Sequence, residues 1–285
     1  MASETVSEYV SLLGLRLHYL TAGDVGPPLL LLHGTALDSG LLTYGEMLPE
    51  LAEHFQVFAL DWPGYGDSDK PKLEYTMDFY QDVLREFVDH LGFEKVDIAA
   101  FSMGGAVALR FAVEHPERLT KLALISSYGL GAGVPLPVVP RLLVKLPGVA
   151  DFVWRQLMTR RGLLSWLVRR LVFGRAGRVT PTMLADVGAQ LELEGLQYAF
   201  TNWLGGELGP LRLVTDLRRE LKDLQTETLL LHGTRDLVIP AYRSRRAARL
   251  LPNARLHMVR GAGHWLPREA PDEVLAALLE FFREP

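Results

Sequence analysis

Val96-Asp97-Ile98-Ala99-Ala100-Phe101-Ser102-Met103-Gly104-Gly105-Ala106 carries an apolar run into a serine and out again through two glycines. The run reads as a buried strand, the serine as the apex of a sharp turn, and the residues after it as a helix. Small residues flank the serine at −2 (Ala100) and +2 (Gly104). A strand that turns at once into a helix brings two backbones close together, and a bulky side chain at either flank would clash. A serine hydroxyl is a poor nucleophile at neutral pH. Chemistry at Ser102 therefore needs a histidine base and an acid to orient it.

This segment resembles the nucleophile elbow of the α/β-hydrolase family, G-x-S-x-G, with Ala100 in place of the first glycine. The resemblance implies the chain order serine, acid, histidine. Thr228–Leu231 reads as a buried strand that runs into His232-Gly233-Thr234-Arg235-Asp236, so Asp236 lies at the strand's carboxyl end. Ala254–Val259 reads as the next strand and leads to Gly261-Ala262-Gly263-His264-Trp265. His264 on that glycine-rich loop is the expected base and Asp236 the expected acid. Pro271–Phe282 has the pattern of a closing helix. His232 precedes the acid, the wrong order for the base, and reads as a packed histidine. His18, His54, His90, His115 and His257 fall inside strands or near helix ends and read as structural.

Two more segments match the family in order. Pro28–Leu32 reads as strand three and is followed by His33-Gly34-Thr35, which resembles the family's oxyanion loop. Carried over, the two oxyanion donors are the backbone N–H groups of Thr35 and Met103, with Gly34 allowing close approach. The Thr35 hydroxyl is a candidate third donor. Asp61-Trp62-Pro63-Gly64-Tyr65-Gly66-Asp67-Ser68 resembles the D-x-P-G-x-G-x-S loop after strand four, where Asp61 and Asp67 shape a turn. The fold expected is an α/β-hydrolase fold: a mostly parallel eight-stranded sheet flanked by helices, with an inserted helical cap.

The length and composition fit one large α/β domain or a domain with an insert. The chain has 285 residues, 48% hydrophobic and 22% charged, with net charge −4 and no cysteine. The charge gives no reason to expect nucleic acid. The absence of cysteine excludes disulfides and a thiolate nucleophile. No basic, apolar leader opens the sequence and no uncharged apolar run reaches about 18 residues. A cytoplasmic enzyme without an integral membrane segment is expected. No Cys/His cluster and no phosphate-binding glycine loop occurs, so neither metal nor cofactor is expected. A homodimer is left open.

Strands and helices alternate up to about Ser127 and resume near Thr228. Residues 1–130 and 216–285 are therefore read as the core and 131–215 as the helical cap, with Gly129–Gly133 as its hinge. Between Gly131 and Thr180 the cap carries Arg141, Lys145 and seven further arginines against one acid, Asp151. Basic amphipathic segments bind membrane surfaces or anionic amphiphiles. The preferred reading is a cap with its apolar side on the pocket and its basic side in water. Phe101, Gly34, Trp203 and Trp265 are the expected substrate-binding residues, and Tyr198, Phe200 and Leu204 line the pocket or brace the cap.

Serine at position 102 argues against the dehalogenase and epoxide hydrolase branches, which use a carboxylate nucleophile. The resemblance implies hydrolysis of carboxylic esters of small to medium apolar acyl or aryl substrates, through an acyl-enzyme. The competing branches are lactonases, perhydrolases and C–C bond hydrolases of aromatic meta-cleavage products. The last share a tryptophan directly after the histidine, here Trp265, but usually carry asparagine where this chain has Phe101. A receptor for a small hydrophobe is the non-enzyme alternative.

Overall fold

The computed structural model describes residues 4–132, 146, 148–209 and 212–284. Eight strands form one sheet: β1 (Val6–Leu12), β2 (Leu15–Ala22), β3 (Pro28–Leu32), β4 (Gln56–Leu60), β5 (Val96–Phe101), β6 (Leu119–Ile125), β7 (Glu227–Gly233) and β8 (Ala254–Val259). Their spatial order is β1-β2-β4-β3-β5-β6-β7-β8. β2 runs antiparallel to both of its neighbours, and every other pairing is parallel. Parallel strands are covered on both faces, so they lose the in–out alternation of a half-exposed strand. Leu29–Leu32 and the whole of β5 are buried accordingly.

The chain leaves β3 toward β4 and then returns to place β5 on the other side of β3. This reversal opens a crevice at the carboxyl ends of β3 and β5, the place where open α/β sheets bind ligands. Helices α1 (Gly40–Tyr44), α2 (Leu48–Leu51), α3 (Met77–Leu91) and α4 (Met103–Glu114) cover the first half of the sheet. The C-terminal half runs acid loop, short helix Tyr242–Ala247, β8, histidine loop and final helix Pro271–Arg283, the order read from the sequence.

Between β6 and β7 the described residues contain helices and no strand of the sheet: Val149–Thr159, Arg161–Leu167 running into a wider π-turn at Val168–Val172, Pro181–Gln190 and Leu196–Glu207. Its two connections are tied to each other, as Leu213 N–H donates to Ala132 O at 2.8 Å and Leu217 N–H to Gly129 O at 2.9 Å. Arg141, Lys145, and Pro135, Pro137, Pro140 and Pro147 lie outside the described residues.

The expected division into an apolar inner side and a basic outer side is only partly met. Trp154, Leu164, Val168 and Phe173 are buried, but Phe152, Val153, Trp166 and Leu171 are exposed. Arg155, Arg160, Arg161, Arg170 and Arg178 are exposed, while the half-buried Arg169 donates to Ala176 O and Val179 O, and Arg175 to Arg260 O. These two guanidinium groups meet backbone carbonyls, within the insertion for Arg169 and just after β8 for Arg175.

One charged side chain interrupts β5. Asp97 is 4% exposed and accepts from Lys121 N–H at 3.0 Å. Burial pushes its carboxyl up to about 6, against the opposing pull of that hydrogen bond and the Lys121 charge. The folded protein thus holds this proton to a higher pH than the unfolded chain, whose ordinary value is 3.8, and stability falls as pH rises between the two. The gap, about two pH units, corresponds to ~3 kcal/mol. In Asp97→Asn the amide oxygen keeps the acceptor and the titration disappears. Urea unfolding at pH 4 and pH 7.5 should show the variant gaining on wild type by up to about 3 kcal/mol at the higher pH. Parallel changes in the two proteins would exclude this account.

Candidate active site

Ser102 sits between β5 and α4 with φ 51° and ψ −113°, a left-handed conformation that a serine adopts only under constraint. The surrounding backbone supplies the constraint. Ser102 N–H donates to Ile125 O at 3.0 Å, and its carbonyl accepts from Gly105 N–H at 3.1 Å and Tyr128 N–H at 2.9 Å. A Cβ at position 104 would stand 2.5 Å from His33 O and 2.8 Å from Leu32 O. A Cβ at position 105 would meet the Ser127 hydroxyl at 2.4 Å. Both glycines are required for α4 to pass this close to the ends of β3 and β6.

The structure brings Ser102, His264 and Asp236 into one line. Ser102 Oγ lies 3.0 Å from His264 Nε2, and His264 Nδ1 lies 2.8 Å from Asp236 Oδ2. The carboxylate fixes the proton on Nδ1, so Nε2 is free to accept from the serine hydroxyl. Asp236 Oδ1 accepts from Val238 N–H at 2.8 Å and Ile239 N–H at 2.7 Å. Burial alone would raise the Asp236 carboxyl. The His264 charge and hydrogen bonds from His232 and His264 outweigh burial and hold it below the ordinary carboxylate range. Asp236 therefore stays ionised and can stabilise an imidazolium.

The loop after β3 reaches the same place. Gly34 N–H is committed to Asp38 Oδ2 at 2.8 Å, and a Cβ there would crowd the Phe101 ring at 3.0 Å. Gly34 does not line the cavity; it lets Phe101 and the loop pack. The Thr35 hydroxyl is paired with Tyr65 Oη at 2.7 Å and so braces this loop against the one after β4. Thr35 itself does line the cavity, and Ala36 beside it is held at φ 69°. Met103 is fully buried and absent from the lining. Its backbone N–H stands at the first position of α4, one of four that no helical carbonyl can accept.

A cavity of about 410 Å³ opens over Ser102. Phe101, Trp203 and Trp265 line it, together with Phe200, Leu204, Val168 and Val172 from the inserted helices. Tyr198 is not part of it and packs edge-on against Tyr75 at 6.3 Å. A second hollow of about 460 Å³, between Arg161, Leu164 and Pro181, contains no member of the relay. Among the described residues no group of His, Asp or Glu is arranged to hold a metal ion.

Residues 27–271 match the family model for the alpha/beta hydrolase fold. The chain belongs to the α/β-hydrolase family. It is similar to the dihydrolipoyllysine-residue acetyltransferase component of the acetoin cleaving system of Pseudomonas putida: 31% identical over 262 residues, which span 92% of this chain but 65% of that protein. It is also similar to 2-hydroxymuconate semialdehyde hydrolase of Pseudomonas sp. strain CF600, 28% identical over 95% of this chain and 92% of the relative. Among solved structures it resembles 2-hydroxy-6-oxo-6-phenylhexa-2,4-dienoate hydrolase from Rhodococcus sp. strain RHA1, with TM-score 0.81, 27% identity and coverage of 99% and 100% of the two chains. No helix among the described residues is long and apolar enough to cross a membrane.

Two residues of this hydrolase site escaped sequence reasoning. His232, read as packing, is fully buried with Nε2 3.1 Å from Asp236 Oδ2 and 2.9 Å from Ile239 O. Two oxygen acceptors place a proton on Nε2, and Nδ1 lies 2.7 Å from Ser244 Oγ. His232 is thus a donor behind the acid. Its place four residues before Asp236 was the available signal. Glu269 is 1% exposed and accepts from Gly263, Gly174 and Arg175 N–H at 2.7, 3.0 and 2.7 Å. It pins the histidine loop to the inserted helices, and nothing in its sequence neighbourhood marks it.

Replacing His232 by phenylalanine keeps the volume and removes the donor to Asp236. A hydrogen bond to a charged group contributes about 1.5–3 kcal/mol, so kcat should fall about 10- to 100-fold with KM little changed. Steady-state kinetics beside Asp236→Asn, expected to lose about 10⁴ in kcat, sets the scale. Unaltered kcat in a folded His232→Phe would show that the acid is held by its loop alone.

Proposed function

We propose that this α/β hydrolase cleaves carboxylic esters of small to medium apolar acyl or aryl groups through an acyl-enzyme. The observation that carries the reading is the Ser102–His264–Asp236 relay, with 3.0 and 2.8 Å contacts, at the floor of a largely apolar cavity. His264 Nε2 takes the hydroxyl proton as Ser102 Oγ bonds to the ester carbonyl carbon. The carbonyl oxygen becomes an oxyanion facing the N–H groups of Thr35 and Met103, donors of a kind that give about 10²–10³ in rate each. The ester C–O bond then breaks, and His264 passes its proton to the leaving alcohol. Water, deprotonated by the same imidazole, attacks the acyl-enzyme and releases the acid with Ser102 restored. Asp236 stabilises the imidazolium in both halves. Residues 131–215 act in this reading as a cap that excludes water and shapes the acyl pocket.

A second reading is C–C hydrolysis of vinylogous diketone acids. Two relatives named above are hydrolases of 2-hydroxymuconate semialdehyde and of 2-hydroxy-6-oxo-6-phenylhexa-2,4-dienoate, and Trp265 directly follows His264. There the imidazole-activated centre would cleave a C–C rather than a C–O bond.

Hydrolysis of p-nitrophenyl esters from acetate to laurate, wild type beside Ser102→Ala, separates these readings. Ester hydrolysis predicts rapid release with a chain-length optimum, and a loss of about 10⁶ in kcat in the variant. Turnover that survives in Ser102→Ala would remove Ser102 from the mechanism. A folded wild type that cleaves a vinylogous diketone acid but none of the esters would favour the second reading.

A further inference from the structure

The outer side of the first inserted helices is both basic and apolar, and the described residues leave it uncovered. Helix Val149–Thr159 turns Trp154 inward, where it packs at 6.4 Å against Phe200 of the cavity wall. Phe152 stands two residues earlier, just over half a turn away, and so looks outward, 56% exposed. The next helix, Arg161–Leu167 with its π-turn, repeats the arrangement. Leu164 and Val168 are buried, and Trp166 between them is 55% exposed. The chain has five tryptophans, and the other four are at most 7% exposed. Each outward aromatic has an exposed arginine one turn away on its own face. Arg155 follows Phe152 by three residues, and Arg170 follows Trp166 by four.

The charge on this stretch is not neutralised by the fold. Residues 148–180 hold seven arginines against one acid, a net charge of +6, while the whole chain carries −4. Arg161 is met by Glu192 at 2.5 Å, but Arg160, Arg170 and Arg178 meet no carboxylate among the described residues. Exposed apolar residues scattered singly are ordinary. Here Phe152, Val153, Trp166 and Leu171 are interleaved with arginines on consecutive helices. Nucleic acid would use the charges and stack on the aromatic rings, but it would leave Val153 and Leu171 in water. An anionic bilayer surface takes both kinds of side chain at once. Aromatic and aliphatic groups enter the headgroup boundary while guanidinium groups stay at the phosphates.

We propose that the outer face of residues 149–172 is a docking surface for a bilayer of anionic phospholipid. The contact is peripheral, made by side chains of helices that lie along the surface. The inner side of the same stretch lines the cavity with Val168 and Val172. The docked bilayer therefore stands about one helix diameter, roughly 10 Å, from the cavity, and apolar compounds dissolved in lipid are concentrated beside it. Docking does not depend on which bond the relay cleaves.

The test is co-sedimentation of the full chain with vesicles of phosphatidylglycerol, beside vesicles of phosphatidylcholine. Wild type should bind the anionic vesicles at low salt, and should release them in about 1 M NaCl, where the screening length falls to about 3 Å. Replacing both Arg160→Gln and Arg170→Gln should weaken the partition about 25-fold, on the order of 5-fold for each arginine near an anionic surface. Trp166→Ser should weaken it about 10-fold, the low end for burying one large apolar side chain. Brominated acyl chains should quench wild-type tryptophan fluorescence and leave that of Trp166→Ser nearly unchanged. These are surface substitutions, so Tm should stay at the wild-type value. Wild type that ignores anionic vesicles at low salt overturns the proposal, as does equal binding to the two lipids or equal quenching in Trp166→Ser. Two further outcomes would also overturn it. Binding of a DNA duplex in place of vesicles would assign the charge to nucleic acid. A protein that ignores vesicles and sediments as a dimer, dissociated by Trp166→Ser, would give this face to a second copy of the chain.

Discussion

The conformation of Ser102 is the constraint on which the rest of this site depends. A non-glycine residue at φ 51° costs on the order of 1–3 kcal/mol, and the structure holds it there from three directions. Ile125 of β6 accepts its N–H, Gly105 and Tyr128 donate to its carbonyl, and the backbone at the end of β3 presses against Gly104. β3, β5 and β6 therefore converge on one residue. The same convergence aligns the N–H groups at the start of α4 with the loop that follows β3. The strain fixes the serine against neighbours on both sides before any reactant arrives.

The base is held by a different part of the chain. His264 N–H donates to Val172 O at 2.7 Å, and Glu269 ties Gly263 to Gly174 and Arg175. The histidine loop and the insertion cross glycine against glycine, since a Cβ on Gly263 would stand 2.4 Å from Gly174 N. Movement of the inserted helices would be felt at the imidazole. The insertion is thus part of the relay's support as well as a wall of the cavity.

Buried histidines show how partners, more than residue type, set the chemistry. His33 Nε2 accepts from Trp62 N–H at 3.0 Å, which puts its proton on Nδ1 and makes it a strut between two loops. His232 carries its proton on Nε2 and donates toward the acid. Ser7, His18 and Asp61 repeat the serine–histidine–carboxylate sequence of contacts at 2.6 and 2.7 Å near the sheet edge. Asp61 there also accepts from Gly40 and Asp67 N–H, and Ser7 is an ordinary exposed strand residue without an elbow. Among the described residues, only at Ser102 do a relay, a strained turn and a cavity coincide.

The sequence by itself determined the sheet, the order of its elements and the three side chains that meet at its switch point. Those features are written in local patterns: continuous apolar runs for doubly covered strands, glycine where backbones touch, and a serine, an acid and a histidine each just past a strand. The tertiary structure alone decided which atoms face one another. It turned Gly34 away from the cavity and spent the Thr35 hydroxyl on Tyr65. It left Phe152 and Trp166 in solvent while arginines bonded to carbonyls. It also set His232 behind Asp236. None of these has a local signature, because each depends on residues distant in sequence, and on hydrogen-bond geometry that exists only once the chain has closed.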